Sequence, residues 1–353
     1  MWNEFGMYRS QLKGHLFEII INELLRKNGF NRIAPTVEPR ERVRENREGF
    51  IEIRGRGCWH QIDCPCNFGR LIPFTYPLRL LGEVKFYRSP LEKKYIREYI
   101  GVMKDIQENY FVADGVSAED SYPRKAEVGV YFSASGFQAE AEKLAYAHGI
   151  KTISYANNYL IDKIKDTLEE FESNYLSVNC IKAGHWNNFQ RAFISAIRDQ
   201  NFNQAVLAQY CADGYHQILL QLQSELVEIR TSFIATTATG VFLHFVGDRP
   251  FPKEAFADSD EGRCRVYFTH NYNNVNGRRL SFWMEINDVP NRFYFTPPAS
   301  LDYASVFGGE IVLNTKEELF SLLNVNIELG GITRNLVLHL DQDWLNAIRG
   351  QNA

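Results

Sequence analysis

His60-Gln-Ile-Asp63 is followed, eighteen residues later, by Gly82-Glu-Val-Lys-Phe86, and this stretch decides the fold. The segment Leu78–Tyr87 is strongly apolar, interrupted only by Arg79, Gly82, Glu83 and Lys85. It follows a connection marked by Gly69, Pro73 and Pro77 and precedes a helical pattern, so it predicts a buried strand. Side chains alternate across a strand, so Glu83 and Lys85 project from one face. Charges in a buried strand are costly unless they are paired or bind something. If a short strand Trp59–Asp63 lies beside this one, Asp63, Glu83 and Lys85 meet in one pocket. Gln61 then shares the face of Asp63 and could touch a substrate or an attacking water. His60 points the other way and reads as a packing residue.

Outward from there, Leu12–Gly29 reads as an amphipathic helix carrying Leu12, Leu16, Ile19, Ile20 and Leu24, with Gly29 as its stop. Phe50–Ile53 and Trp59–Asp63 are strands around a Gly55-Arg-Gly57 turn. Beyond Tyr87 come a helix from Leu91 to Tyr110, a polar loop (Asp114–Lys125) and a strand Val128–Ser133. A helix Phe137–His148, a strand Ile150–Tyr155 and a helix from Asn158 complete the pattern. This alternation predicts an α/β fold with a mixed sheet between helices over residues 1–170. Asp166–Asn179, acidic and then polar, marks a boundary. Residues 171–353 read as an α+β domain rich in antiparallel strands, helical over 185–230 and β-rich over 232–345. Its strands are expected at Val241–Val246, Arg265–His270, Leu280–Ile286, Arg292–Phe295, Glu310–Asn314 and Leu336–Leu340.

A chain of 353 residues suits two domains. No apolar run approaches the roughly 18 residues of a membrane span. The opening Met-Trp-Asn-Glu-Phe-Gly lacks the basic-then-apolar design of a secretory signal. Cysteines at 58, 64, 66, 180, 211 and 264 are irregularly spaced, which favours reduced thiols and a cytoplasmic location over a disulfide framework. The net charge of −4 hides an asymmetry: residues 1–104 carry +7, and those after 165 carry −8. The basic surplus therefore surrounds the candidate site, as a polyphosphate partner requires. Arg40, Arg42, Arg44, Arg47, Arg54 and Arg56 are its densest part. Glu38, Glu41, Glu45, Glu48 and Glu52 interleave with them, so an ordinary solvated segment is the competing reading. Arg54, Arg56, Arg88, Lys93 and Lys94 are the candidates for contact with backbone phosphate.

Two carboxylates beside a lysine suit metal-assisted hydrolysis of a phosphodiester. Asp63 and Glu83 offer hard oxygen ligands for Mg²⁺ or Mn²⁺. The Lys85 ammonium can orient water or offset charge on the phosphate. An acid-x-Lys triplet alone is a weak signal; its apolar strand and the spacing from Asp63 strengthen it.

Several ordered motifs carry a family resemblance over about residues 8–165. They are Gly14-His-Leu-Phe-Glu18 with Leu24-Leu25 and Gly29-Phe30, Gly55-Arg-Gly57 leading to His60-Gln-Ile-Asp63, and Gly82-Glu83-Val-Lys85. Gly129-Val-Tyr-Phe-Ser133, Ser135-Gly136-Phe137 and His148-Gly-Ile150 follow in order. The chain resembles the PD-(D/E)xK restriction-endonuclease-like nucleases, and most of all their Mrr-like branch. The resemblance implies a restriction-endonuclease-like α/β/α sandwich and a Mg²⁺-dependent DNA endonuclease of restriction or defence type. Asp63 and Glu83 would be metal ligands and Lys85 the catalytic lysine. Glu18 would support the metal through water. Ile62 stands where the motif's name has proline, and Glu83-x-Lys85 replaces the Gln-x-Lys frequent in Mrr-type enzymes. Making breaks in both strands would favour a homodimer.

Other readings compete. An inactive nuclease fold could bind DNA or a partner protein, and a structure-selective resolvase or RNase would use the same residues. Cys58, His60, Cys64 and Cys66 invite a zinc site. In one extended strand, however, the outer two would lie roughly 26 Å apart, so buried free thiols are favoured. Ser133 and Ser135 lack an acid–histidine partnership for a nucleophile. The acidic C-terminal half, without clustered ligands or a phosphate loop, fits contact with a protein or a ligand better than a large DNA surface.

Overall fold

The computed structural model describes residues 7–47, 49–69, 74–110, 124–173, 179–182, 184–199, 207–211, 215–273 and 277–352. The expected loop Asp114–Lys125 therefore lies largely outside the described residues. Contacts divide the chain into two compact units: residues 1–154 with 167–223, and residues 155–166 with 224–353.

The first unit opens with β1 (Met7–Tyr8) and α1 (Arg9–Arg26), then β2 (Phe30–Arg32), β3 (Val43–Glu45), β4 (Ile51–Arg54) and β5 (Trp59–Gln61). It continues through β6 (Cys64–Phe68), β7 (Leu78–Lys85), α2 (Lys93–Gln107), β8 (Ala126–Ser133), α3 (Ala139–Ala147) and β9 (Lys151–Ser154). β10 (Asn179–Ile181) and α5 (Trp186–Asp199) also belong to it, while α4 (Tyr159–Ser173) and α6 (His216–Glu228) each contribute residues to both units.

A five-stranded sheet, ordered β2-β6-β7-β8-β9, forms the frame. β6 runs antiparallel to β7, whereas β8 and β9 run parallel to it, so the sheet is mixed and β7 is central. The apolar texture of Leu78–Tyr87 is what a strand covered on both faces demands. Helices flank it. α1 packs on β2, β6 and β7, and Leu81 shares a core with Tyr99, Met103, Tyr131, Ala141 and Ala145.

The expected continuous strand Trp59–Asp63 is broken. β5 ends at Gln61 inside a separate three-stranded sheet, β3-β4-β5, and strand pairing resumes at Cys64 in β6. Ile62 turns inward and is buried, and the chain passes from one sheet to the other there. The strand Cys64–Phe68 is not predicted from the residues, because Pro65 and two cysteines mask its period. Pro65 is tolerated because its backbone polar side faces Ile33, beyond the β2 pairing at Cys66–Phe68, so no ladder bond to β7 needs its N–H.

The second unit is a closed barrel. Its strands are β11 (Thr231–Thr237), β12 (Phe242–Gly247), β13 (Glu261–Asn273), β14 (Gly277–Ile286), β15 (Val289–Phe295), β16 (Leu323–Leu329) and β17 (Ile332–Leu340). They close in the order β11-β12-β15-β14-β13-β17-β16. Every pair is antiparallel except β13 with β17. Phe233, Phe245, Phe282, Phe293 and Phe295 fill the interior, as a small barrel requires. α7 (Ala299–Phe307), α8 (Gly309–Phe320) and α9 (Gln342–Asn352) complete the unit.

The strand expected at Glu310–Asn314 is instead the start of α8. Its buried residues Val312, Leu313, Lys316, Leu319 and Phe320 recur at helical spacing. A five-residue apolar window is too short to separate the two periods, and the full turn pattern appears only over the next six residues.

Candidate functional site

Glu83 and Lys85 occupy the end of β7 and project from one face. β6 pairs Cys64 with Gly82, so Asp63, one residue before β6, reaches the next position along β7. Its Oδ2 accepts the Val84 N–H at 3.0 Å and the Lys85 ammonium at 3.4 Å. Lys85 also contacts Glu83 directly. The Gly82 register is itself sterically fixed, because a Cβ there would lie 2.6 Å from the Cys64 Cβ and 3.2 Å from its carbonyl oxygen. α1 supplies the fourth side chain. Asn22 donates to the Glu18 carbonyl at 2.9 Å and to the Asp63 carbonyl at 3.0 Å, clipping the helix to the chain at Asp63. The Glu18 carboxylate meets His15 Nδ1 at 3.0 Å, and the His15 ring lies 5.0 Å from Phe50 and 5.6 Å from Trp186. A cavity of about 50 Å³, lined in part by His15, Glu18, Asn22, Asp63 and Trp186, is enough for a water or two.

Asp63 and Glu83 share one ammonium, and Glu18, paired with His15, stands close enough for its charge to act on Asp63. Burial, and then the charges of Glu18 and Glu83, push the Asp63 carboxyl well above its ordinary 3.8. Burial also raises Glu83, partly offset by Lys85. Burial alone would lower Lys85, but Asp63 and Glu83 outweigh it and hold the ammonium charged. Asp63 and Glu83 offer carboxylate oxygen, the donor type that suits a hard divalent cation such as Mg²⁺ or Mn²⁺.

The remaining candidates are dispersed. Gln61 is exposed in β5, opposite Glu52, and the break at Ile62 removes the alternation that would align it with Asp63. Arg54 lies over the Trp59 ring, 5.6 Å from its centroid. Arg56 pairs with Glu108 at 3.0 Å, Arg88 with Glu169 at 2.7 Å, Lys93 with Glu140 at 2.6 Å and Lys94 with Glu92 at 3.5 Å. In the arginine-rich run, Arg44 pairs with Glu52 at 2.6 Å. Arg42 is buried, bonded to the Asn109 carbonyl at 2.6 Å and stacked on Tyr110. Part of that run is thus internal structure. Ser133 and Ser135 donate to the Gly136 and Ser89 carbonyls, which is loop bracing.

A second cluster stands at the β4–β5 turn. One ligand atom each from Cys58, His60 and Asp105 lies within 4.8 Å of the others, positioned to chelate a metal ion. His60 Nε2 is 3.5 Å from Cys58 Sγ and 2.7 Å from Asp105 Oδ2. One nitrogen faces both partners, so His60 cannot relay a proton between them as a catalytic triad would. The Asp105 carboxylate also accepts the Gly57 N–H at 2.9 Å and the Cys58 N–H at 3.4 Å. The His60 hydrogen bond first, and the Gly57 amide second, hold its pKa below 3.8. The zinc reading that joined Cys58 and His60 to Cys64 and Cys66 is not assembled. Cys64 and Cys66 are buried in β6, and among the described residues Cys58, His60 and Asp105 are the one set of three such side chains whose ligand atoms lie within 4.8 Å of one another; Glu18, Asp63 and Glu83 are not all drawn that close. His60 is therefore a bonded residue at a turn rather than a packing residue.

Asp105 was outside every sequence-level candidate, because nothing at 45 residues' separation signals its pairing with His60. His15 and Asn22 were readable: they stand at i−3 and i+4 from Glu18 on one helix, the spacing of contacting side chains.

No family model and no curated protein matches the chain. One solved structure does, described as a protein of unknown function, AF1548. It is 15% identical, with a TM-score of 0.33, and the match covers 60% of this chain and 95% of that one. Among the described residues, no helix is long and apolar enough to cross a membrane.

Proposed function

We propose that the protein is a metal-dependent DNA endonuclease of the PD-(D/E)xK type, Mrr-like, with its catalytic group at Asp63, Glu83, Lys85 and Glu18. The observation that carries this reading is the meeting of two carboxylates, Asp63 and Glu83, on Lys85 at the end of a buried strand, with Glu18 close enough for its charge to raise Asp63. Asp63 and Glu83 are both held above their ordinary ionisation by burial, with the charges of Glu18 and Glu83 adding to the effect at Asp63. Such perturbed carboxyls cluster at functional sites, and a divalent cation bound there would favour their charged forms. A Mg²⁺ or Mn²⁺ ion held by Asp63 and Glu83 would supply Lewis-acid activation of water and neutralise charge on the phosphate. Lys85, anchored by both carboxylates, is placed to orient the attacking water or to stabilise the phosphorane-like charge. Val84 N–H and Asn22 fix Asp63, so the group is set before substrate arrives. The second unit, whose chain carries the acidic surplus, is proposed to set the target through a protein or ligand contact.

The test is plasmid incubated with purified protein and Mg²⁺ or Mn²⁺. Nicking or linearisation that disappears in Glu83→Gln and Lys85→Met, with circular dichroism unchanged, supports the reading. Full cleavage in those variants would overturn it. Retarded DNA without cutting in the wild type would assign a binding module instead.

A further inference from the structure

We propose that Cys58, His60 and Asp105 form a Zn²⁺ site that clasps the β4–β5 turn onto α2. It is separate from the carboxylate group and does not depend on the proposed nuclease reading. The donor set is one thiolate, one imidazole and one carboxylate, which suits zinc and not magnesium. The geometry agrees. Zinc–sulfur and zinc–nitrogen bonds of about 2.3 and 2.0–2.1 Å at a tetrahedral angle put sulfur and nitrogen about 3.5 Å apart, and Cys58 Sγ to His60 Nε2 is 3.5 Å. The Asp105 oxygen sits closer to Nε2, at 2.7 Å, because a proton now joins them. Zinc takes the place of that proton and of the Cys58 thiol proton, and both leave to solvent. The three atoms lie within 4.8 Å of one another, close enough to share one ion.

The surroundings are built for the carboxylate. The Gly57 and Cys58 amides hold Asp105, as outer hydrogen bonds hold a metal ligand. Gly55 leaves the space it occupies: a Cβ there would lie 2.0 Å from Asp105 Oδ2. Cys58 is exposed, so the ion can enter, and three protein ligands leave a fourth position for water. Asp105 belongs to α2 and the other two ligands to the turn and β5, so the ion would join elements 45 residues apart in sequence. Asp63 follows only three residues after His60, and the clasp therefore steadies the chain that enters the carboxylate group.

The experiment uses the full chain, freed of metal by dialysis against chelator, and titrates it with Co²⁺ alone and then Zn²⁺ alone. A thiolate-to-cobalt charge-transfer band that saturates at one equivalent and is bleached by Zn²⁺ is expected. Alkylation with mass mapping should show Cys58 protected by Zn²⁺ and not by Mg²⁺. Cys58→Ser should abolish the band, and Asp105→Asn should weaken Zn²⁺ binding by about 10–100-fold or more. Glu83→Gln should leave the titration unchanged. Wild-type protein that gives no band and no protection of Cys58 would overturn the proposal and leave a hydrogen-bonded turn. A band that survives in folded Cys58→Ser would do the same by placing the ion elsewhere.

Discussion

Asp63 and Asp105 are two aspartates in one unit whose environments push them in opposite directions. Asp63 is 7% exposed and faces Glu18 and Glu83, so burial and like charge raise its pKa. Asp105 is 21% exposed and faces His60 and two backbone amides, so hydrogen bonds lower its pKa. One position is under electrostatic stress that a cation relieves; the other is already satisfied and becomes a ligand only by exchanging a proton for a metal. Residue type alone does not decide which is which. Burial and the sign of the neighbours do.

The largest expected effect tests the stressed position as a catalytic group. Glu83→Gln or Asp63→Asn should cut Mg²⁺-dependent plasmid cleavage by about 100–1000-fold or more, since each removes a ligand needed in the transition state. Cleavage rates at saturating metal measure it, and an unchanged rate would remove the distinction between the two aspartates.

The same pair of residues should give opposite pH dependences of stability without metal. Asp63 has a raised folded pKa, so its contribution is present below 3.8 and lost as pH rises through the folded value. Asp105 has a lowered folded pKa, so its contribution is present above 3.8 and lost as pH falls through the folded value. Urea unfolding against pH, wild type minus Asp63→Asn and wild type minus Asp105→Asn, should therefore slope in opposite senses. Mg²⁺ should flatten the first difference and leave the second alone. Parallel slopes would show that the two environments are alike.

A glycine exchange sharpens the contrast at smaller energies. The Gly82→Ala Cβ would meet Cys64 Cβ, the Phe132 ring and the Cys64 backbone, none of which can swing away. Overpacking in that central strand should cost about 1–3 kcal/mol. The Gly55→Ala Cβ would meet the Asp105 carboxylate and the His60 ring, side chains that can turn aside by giving up the bonds to Asp105. Its effect on stability should be smaller, while Zn²⁺ binding weakens. Denaturant midpoints for the two variants, with Zn²⁺ titration of the second, check both statements.

The smallest effect is expected at the surface cations. Arg88→Ala breaks an exposed pair with Glu169 and should change stability by about 0–1 kcal/mol. If Arg88 contacts DNA as well, the salt dependence of DNA binding should fall by about one unit of slope.

Much of the first unit was legible in its residues. Leu78–Tyr87 is apolar over a strand length with charges at alternating positions, and it became the central strand with Glu83 and Lys85 on one face. The helix read at Leu12–Gly29 appears as Arg9–Arg26, and Glu18 lies on it with two side chains at contact spacing. Local period is a property of neighbouring residues, which the chain order states directly. The break at Ile62 was not legible, because Trp59–Phe68 continues the strand texture through the point where it changes sheets. The barrel was not legible either: its strands could be read one by one, but closure needs β11 beside β16 and a parallel pair of β13 with β17. Helix and strand were confused at Glu310–Asn314 because five residues do not separate the two periods.

By itself, then, the sequence determined which side chains are chemically able to act: Asp63, Glu83, Lys85 and Glu18 as oxygen and ammonium groups, Cys58 and His60 as soft donors. Tertiary structure alone decided their company. It drew Asp63 to the end of β7, brought Asp105 to His60 from 45 residues away and sent Gln61, Cys64 and Cys66 elsewhere. The reason is physical. Ionisation and ligation depend on burial and on distances of a few ångströms, and those are set by which strands pair and not by how many residues lie between them.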